Sequence, residues 1–155
     1  MDTKDVIQTI TNRSFINTIT IGNAGLVLIT IYKQTYFLIA FAIGAAFNMF
    51  SNFVLKTTIK ESRPNNIYGN DPIQKYGMPS GHTQHVIFCV TFLYLLRKSP
   101  YIIFLATAVA LTVMFQRYFI KAHTLKQIAA GAAIGAFNAW LAFYCAKQAI
   151  IRGFN

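Results

Sequence analysis

Acidic side chains are what this sequence has least of. Four Asp and Glu in 155 residues, namely Asp2, Asp5, Glu61 and Asp71, provide no cluster of carboxylates of the kind that holds magnesium or zinc. No metal and no cofactor is expected. Charge of either sign is sparse: 12% of the residues are charged, against about a quarter in an ordinary soluble domain. That sparseness argues against a water-soluble globule. The two cysteines, Cys89 and Cys145, both lie in apolar runs and imply no disulfide framework. Internal repeats and low-complexity tracts are also missing.

Apolar residues are abundant: 55% of the chain is hydrophobic and the mean hydropathy is +0.45. Fourteen Lys and Arg give a formal charge of +10. A basic chain can bind nucleic acid through phosphate neutralisation, but that needs a basic face on a soluble fold. Here the cations fall mostly at the ends of long apolar runs, as in a multi-pass membrane protein. The expected partner is the lipid bilayer, with no nucleic acid and no oligomeric state implied.

A helical span needs about 20 mainly apolar residues. Spans are expected at 16–31, 36–55, 80–96, 100–116 and 125–144. The second is uncharged from Tyr36 to Leu55 and closed by Lys56. The third reaches span length only if the polar stretch Ser80 to His85 is counted in it. The first carries Asn17, Thr18, Thr20, Asn23 and Thr30. It is not read as a cleaved signal, because Asp2 and Asp5 offset Lys4 and Arg13 and no small-x-small site follows; residues 1–14 are expected to form a short interfacial segment. The fold class is therefore all-α: a single-domain (1–155) multi-pass transmembrane helical bundle of about five spans. Lys33–Thr35 and Arg97–Ser99 are tight hairpins, and Lys56–Pro79 is the one long loop. Gly131-Ala132-Ala133-Ile134-Gly135 is a small-xxx-small face for close helix packing. By parity the long loop and the Arg117–Thr124 connection share one side, so the polar chemistry converges on one membrane interface.

Three groups of residues carry that chemistry. Lys56 and Arg63 stand seven apart, with Pro64 next. If the second helix continues, both cations point the same way, about 10 Å apart along the axis; alone, each would be a cation snorkelling to headgroups. Pro79-Ser80-Gly81-His82 opens the third span. Ser is a preferred N-cap and Gly permits close backbone approach, so free N–H groups there can face an anion. His85, three residues on, is read as a packing residue or a support behind the site. Arg117 ends the fourth span after Gln116, His123 follows, and Gln127 stands at i+4 from His123, one helical turn on. That is a nucleophile with an orienting partner. Asn48 and Asn52 continue the face of Lys56; for both, interhelical hydrogen bonding is the plainer role and support of the neighbouring cations, Asn52 above all, is the other. Tyr32, Tyr36, Tyr94, Tyr101 and Tyr118 are expected as interfacial anchors, and Trp140 as a packing or lipid-facing residue.

Lys56-x6-Arg63-Pro64, Pro79-Ser80-Gly81-His82 and Arg117-x5-His123 together resemble the three signature motifs of the type-2 phosphatidic acid phosphatase superfamily, which includes lipid phosphate phosphatases, glucose-6-phosphatase and vanadium haloperoxidases. Gln116 stands where the family has Ser. Gln127 stands where the family has Asp, and Ala130-Gly131-x3-Gly135 downstream keeps that alignment in register. Gln in that slot, with Tyr76-Gly77-Met78-Pro79 leading into the second motif, is similar to the dolichyl diphosphate phosphatase branch, although that branch reads Pro-Ser-Ser-His where this chain has Gly81.

The resemblance implies an integral-membrane, metal-independent phosphatase acting on a lipid phosphate, with a polyprenyl or dolichyl diphosphate as substrate and the endoplasmic reticulum as location. It implies that His123 attacks phosphorus to form a phosphohistidine and that His82 protonates the leaving oxygen. Lys56, Arg63, Arg117, the Ser80 hydroxyl and the Gly81 N–H would then stabilise the phosphate oxygens, with Gln127 orienting His123. The alternatives are a phosphatase for phosphatidic acid or another lipid phosphate monoester, a non-catalytic headgroup-binding relative, and vanadate-dependent peroxidase chemistry.

Overall fold

The computed structural model describes residues 13–64 and 75–152. Most of the expected interfacial segment 1–14, and Asp2, Asp5 and Asp71, lie outside the described residues. Five helices follow one another: α1 (Arg13–Ile31), α2 (Thr35–Ile59), α3 (Gly81–Leu95), α4 (Pro100–Phe119) and α5 (Leu125–Ile151). Their limits follow local chemistry. α2 stops where Lys60 adopts a left-handed backbone (φ 54°), which ends the hydrogen-bond ladder. α4 starts with Pro100 at its first position, where a missing N–H costs nothing. α5 runs past the expected Tyr144 to Ile151, because Lys147 can direct its ammonium outward while its stem stays on the helix.

α1, α2, α4 and α5 are each long and apolar enough to cross a membrane. α3 is not: its 15 residues rise only about 22 Å. The expected limit of residue 96 is nearly met, and the polar turn from His82 to His85 is helical as that expectation requires. The bundle is nevertheless built around α3, which packs against all four other helices and most extensively against α5. Phe41, Phe88 and Phe92 form the fully covered centre, with Phe41 and Phe92 meeting edge to face at 5.4 Å. The outer surface is apolar too, with Ile29 74% and Phe104 75% exposed. An outside this apolar suits hydrocarbon rather than water, and the fold is a multi-pass helical membrane bundle. Trp140 stacks on Tyr144 at 5.7 Å and is half exposed on this outer face; Tyr32, Tyr94, Tyr101 and Tyr118 are likewise exposed.

The small-residue face of α5 does what its spacing predicts. A Cβ at Gly131 would sit 2.6 Å from the Ser80 carbonyl oxygen, and one at Gly135 would run into the Gln84 carbonyl. These glycines therefore admit the backbone of the start of α3. Beside this contact lies a buried polar cluster. The Gln84 amide donates to the Asn48 carbonyl at 2.7 Å and accepts from Asn52 Nδ2 at 2.8 Å. Asn138 Nδ2 donates to Asn48 Oδ1 at 2.9 Å and to Ser51 Oγ at 3.0 Å. The cluster ties α2, α3 and α5 together where an unmet amide has no water to turn to. Asn48 has the interhelical role expected of it.

Gly135→Ala is expected to destabilise the protein by about 1–3 kcal/mol through forced separation of α3 and α5. Gly22→Ala, on an exposed face of α1 with no atom within 4 Å of the added methyl, should leave the melting temperature in detergent unchanged or higher. Thermal unfolding of the two variants side by side checks the difference.

Candidate active site

The chain leaves α2 at Lys60 in an extended form. Ser62 pairs antiparallel with Tyr76, and the Gly77 N–H donates to the Glu61 carbonyl at 2.7 Å. Arg63 is therefore not on the helix, and the continuing-helix geometry in which Lys56 and Arg63 point the same way does not occur. The cause is Pro64, which disfavours α backbone at the residue before it, together with the left-handed Lys60. Lys56 stays in the last turn of α2, buried, with Nζ donating to the Tyr76 carbonyl at 2.9 Å. The two-residue pairing, rather than a helix face, carries Arg63 back towards the bundle.

After α4, Lys121 takes a left-handed turn (φ 54°), and the N–H groups of Ala122 and His123 both donate to the Arg117 carbonyl. Thr124 then caps α5. The Gln127 N–H donates to Thr124 Oγ1 at 3.2 Å, and the Gln127 side chain accepts from the Thr124 N–H at 3.3 Å, a reciprocal capping box. His123 thus precedes the helix. Gln127 reaches it by folding back through the cap, not as a neighbour one helical turn along.

The hydrogen atoms around His123 can be assigned from groups that only accept. Gln127 Nε2 lies 2.9 Å from Glu61 Oε1 and 2.9 Å from the Ser62 carbonyl oxygen. Both are acceptors, so the NH2 end of the amide faces them and Oε1 faces the ring, 3.2 Å from His123 Nδ1. Nδ1 is also 2.9 Å from the Gly77 carbonyl oxygen. Nδ1 therefore carries the proton. That leaves a lone pair on Nε2, which accepts from Arg63 Nη1 at 2.9 Å. Burial first, then the charges of Arg63 and Lys56, push the His123 pKa down to about 2. The ring is held neutral, with its basic nitrogen turned towards the cations.

His82 answers from the start of α3. Its Nδ1 lies 3.3 Å from Arg117 Nη1, a group that only donates. Nε2 therefore carries the hydrogen and donates to Asn17 Oδ1 on α1 at 2.7 Å. The Ser80 N–H donates to the Gln127 carbonyl at 3.0 Å. Ser80 is at the N-cap as expected, but its hydroxyl meets that of Thr83 at 3.0 Å and caps no backbone N–H. Asn52 Nδ2 lies 3.3 Å from the Pro79 carbonyl, and a Cβ at Gly81 would come 3.1 Å from Asn52 Oδ1. Asn52 thus supports the segment entering α3 rather than a cation. His85 lies outside this cluster, with its ring 3.9 Å from Cys89 Sγ, in keeping with a packing role.

The structure brings Lys56, Arg63, Arg117, His82 and His123 to the same end of the bundle. Their hydrogen bonds join Arg63 to His123 and Arg117 to His82, and Lys56 and Arg117 both act electrostatically on His123. Sequence reasoning missed Asn17, the carbonyl of Gly77 and the side chain of Glu61. Gly77 has a steric signature: a Cβ there would strike the Gln127 amide. Beside His123 a cavity of about 570 Å³ opens along Phe115, Phe119 and Leu125, with Lys121 and Lys126 on its polar side.

The sequence profile described as the PAP2 superfamily matches residues 35–151, which hold all three motifs. The chain belongs to the PAP2 superfamily. It is 30% identical over 126 residues to dolichyldiphosphatase 1 of Dictyostelium discoideum, covering 72% of this chain and 53% of that one. It is 33% identical over 118 residues to the dolichyldiphosphatase of Saccharomyces cerevisiae, covering 66% and 49%. With lipid phosphate phosphatase gamma of Arabidopsis thaliana the identity is 28% over 108 residues, covering 63% and 48%. The chain spans about half the length of the curated relatives it matches. No solved structure matches it significantly.

The depressed His123 pKa has a sign that can be tested. The unfolded chain takes up a proton near the ordinary imidazole pKa of about 6.5, while the folded ring resists down to about 2. His123 therefore costs stability progressively as pH falls below about 6.5. Thermal midpoints followed from pH 7 to pH 4 should fall more steeply for the natural protein than for His123→Gln.

Proposed function

We propose that this PAP2 protein is a membrane phosphatase that hydrolyses a polyprenyl diphosphate, of the dolichyl type, to the monophosphate. The observation that carries the reading is the unprotonated Nε2 of His123 facing Arg63, with its opposite nitrogen fixed by the Gly77 carbonyl. A neutral imidazole so oriented is a nucleophile ready for in-line attack.

In this reading the terminal phosphoryl group enters between the two histidines, and Arg63 passes its hydrogen bond from Nε2 to a phosphate oxygen. Lys56, Arg63 and Arg117, with the Ser80 hydroxyl and the Gly81 N–H, neutralise charge on the equatorial oxygens, usually the largest contribution to such a reaction. His123 Nε2 forms the bond to phosphorus as the bridging P–O bond breaks; His82, which takes up a proton at Nδ1 once Arg117 turns to the phosphate, delivers that proton to the leaving oxygen and returns to neutral imidazole. His82 then takes a proton from water, which attacks the phosphohistidine and releases inorganic phosphate. Side-chain cations meet all of the phosphate charge, so the reaction needs no metal.

The diphosphate is favoured by the group at position 127. An amide can hold the Nδ1 hydrogen but cannot stabilise imidazolium as a carboxylate would. Expelling a phosphate monoester needs less proton assistance than expelling an alkoxide. The names of the Dictyostelium and yeast relatives agree with this choice, and that of the Arabidopsis relative, a lipid phosphate phosphatase, keeps another lipid phosphate as the second reading. The cavity beside His123, apolar on its Phe115, Phe119 and Leu125 side, suits a substrate whose chain stays in lipid. A dolichyl substrate places the protein in the endoplasmic reticulum.

The test is phosphate release by purified protein from polyprenyl diphosphate, phosphatidic acid and a sugar phosphate, each with chelator present. Polyprenyl diphosphate should turn over fastest, and chelator should make no difference. Equal or faster release from phosphatidic acid would count against the diphosphate assignment. His123→Ala should abolish turnover, whereas Gln127→Ala should only lower it; full activity in His123→Ala would remove the mechanism. Gly77→Ala, which displaces the Gln127 amide, should fall between the two.

A further inference from the structure

We propose that Glu61 is a positioning residue for His123 and acts through Gln127, so that residues 61 and 127 together occupy the place of a single orienting carboxylate. The inference rests on the reading of His123 as the nucleophile. Glu61 is held from both sides. Its Oε1 accepts from Gln127 Nε2 at 2.9 Å, and its Oε2 accepts from Lys126 Nζ at 2.9 Å.

A side-chain amide has two orientations of nearly the same shape, and only its neighbours choose between them. In the observed orientation the NH2 group meets Glu61 Oε1 and the Ser62 carbonyl, while Oε1 meets the Thr124 N–H and the His123 Nδ1 hydrogen. Turned over, the amide would set oxygen against a carboxylate and a carbonyl, and NH2 against two N–H groups. Four contacts would change from attraction to repulsion, and the one with Glu61 involves a full charge. A turned amide would also set its NH2 against the Nδ1 hydrogen that the Gly77 carbonyl and Arg63 require, and so push the ring away from both. Glu61 therefore adds a full charge to the contacts that keep Gln127 in the orientation supporting a bare Nε2. Hydrogen bonds from Lys126 and Gln127 hold the Glu61 carboxyl below its ordinary pKa, so it remains ionised at neutral pH.

The same contacts give a physical reason for glutamine at position 127. An aspartate there would present only acceptors to Glu61 and to the Ser62 carbonyl and would bring two carboxylates together. The negative charge has moved one side chain outward, and an amide now links it to the ring.

Two readouts in the full chain test this. In the first, phosphate release from polyprenyl diphosphate is measured for Glu61→Ala, Glu61→Gln, Gln127→Ala and the Glu61→Ala/Gln127→Ala pair. Glu61→Ala should lower kcat about tenfold, the cost of one hydrogen bond lost from the transition state, with KM unchanged. Glu61→Gln, which keeps an acceptor oxygen for Gln127, should recover most of that loss. The double variant should be no slower than Gln127→Ala alone. A Glu61→Ala effect confined to KM, or losses that multiply in the double variant, would overturn the proposal.

The second readout does not need turnover. Ring nitrogen NMR of histidine-labelled protein, assigned by comparison with His123→Gln, should give His123 an Nδ1–H tautomer in the natural protein, with the Nδ1 resonance shifted in Glu61→Ala as the Gln127 contact loosens. Identical ring spectra would overturn the proposal whether or not the protein releases phosphate. A changed spectrum in a protein inactive on every phosphate tested would uphold the positioning role and remove the phosphatase reading instead.

Discussion

The hydrogen on Nδ1 of His123 is the constraint from which the rest of the site follows. The Gly77 carbonyl holds it at 2.9 Å, so the segment carrying Gly77 has to be anchored, and its pairing with Glu61 and Ser62 does this. The same pairing brings Arg63 to the other edge of the ring. Gln127 closes the third side, and it is in place because the capping box starts α5 at that point. Ser80, at the mouth of α3, donates its N–H to the carbonyl of that same Gln127, which sets His82 opposite. One imidazole thus fixes the relative placement of two loops and two helix starts.

Holding those starts together in lipid takes both space and polarity. Gly131 and Gly135 supply the space, since any side chain at either position would meet the α3 backbone. Asn48, Gln84 and Asn138 supply the polarity and satisfy one another at the junction of α2, α3 and α5. Water cannot compete for these groups there, so directional bonds specify the helix register that apolar packing alone leaves loose. The aromatic cluster of Phe41, Phe88 and Phe92 then fills the space further along α3.

Much of this was legible in the residues. Long apolar runs closed by cations gave all five helices, and three separated motifs named the cations and imidazoles that the fold brings to one end. The differences lie in polar partners that are not helix neighbours. The seven-residue spacing aligns Lys56 and Arg63 only if α2 continues, and α2 ends at Ile59, before Pro64. Gln127 meets His123 at 3.2 Å as its spacing implies, but through the capping box of Thr124-x-x-Gln127, because the helix begins after the histidine. Gly77 could not be found this way, because it contributes a backbone carbonyl, and every residue has one. Asn17 is visible as an amide in an apolar run, and a polar group there is better read as a partner to something. Glu61 stands in the sequence only as one of four acids, and its use depends on a chain reversal that no spacing announces.

The brevity of α3 has a consequence for where the chemistry takes place. From the Arg97–Lys98 turn, whose charges belong at the opposite interface, α3 climbs about 22 Å through a hydrocarbon layer about 30 Å thick. A helix about 8 Å short of that layer cannot reach water at both of its ends. The polar first turn of α3 accordingly finds its partners in protein: Arg117 and Asn17 for His82, and Asn48 and Asn52 for Gln84.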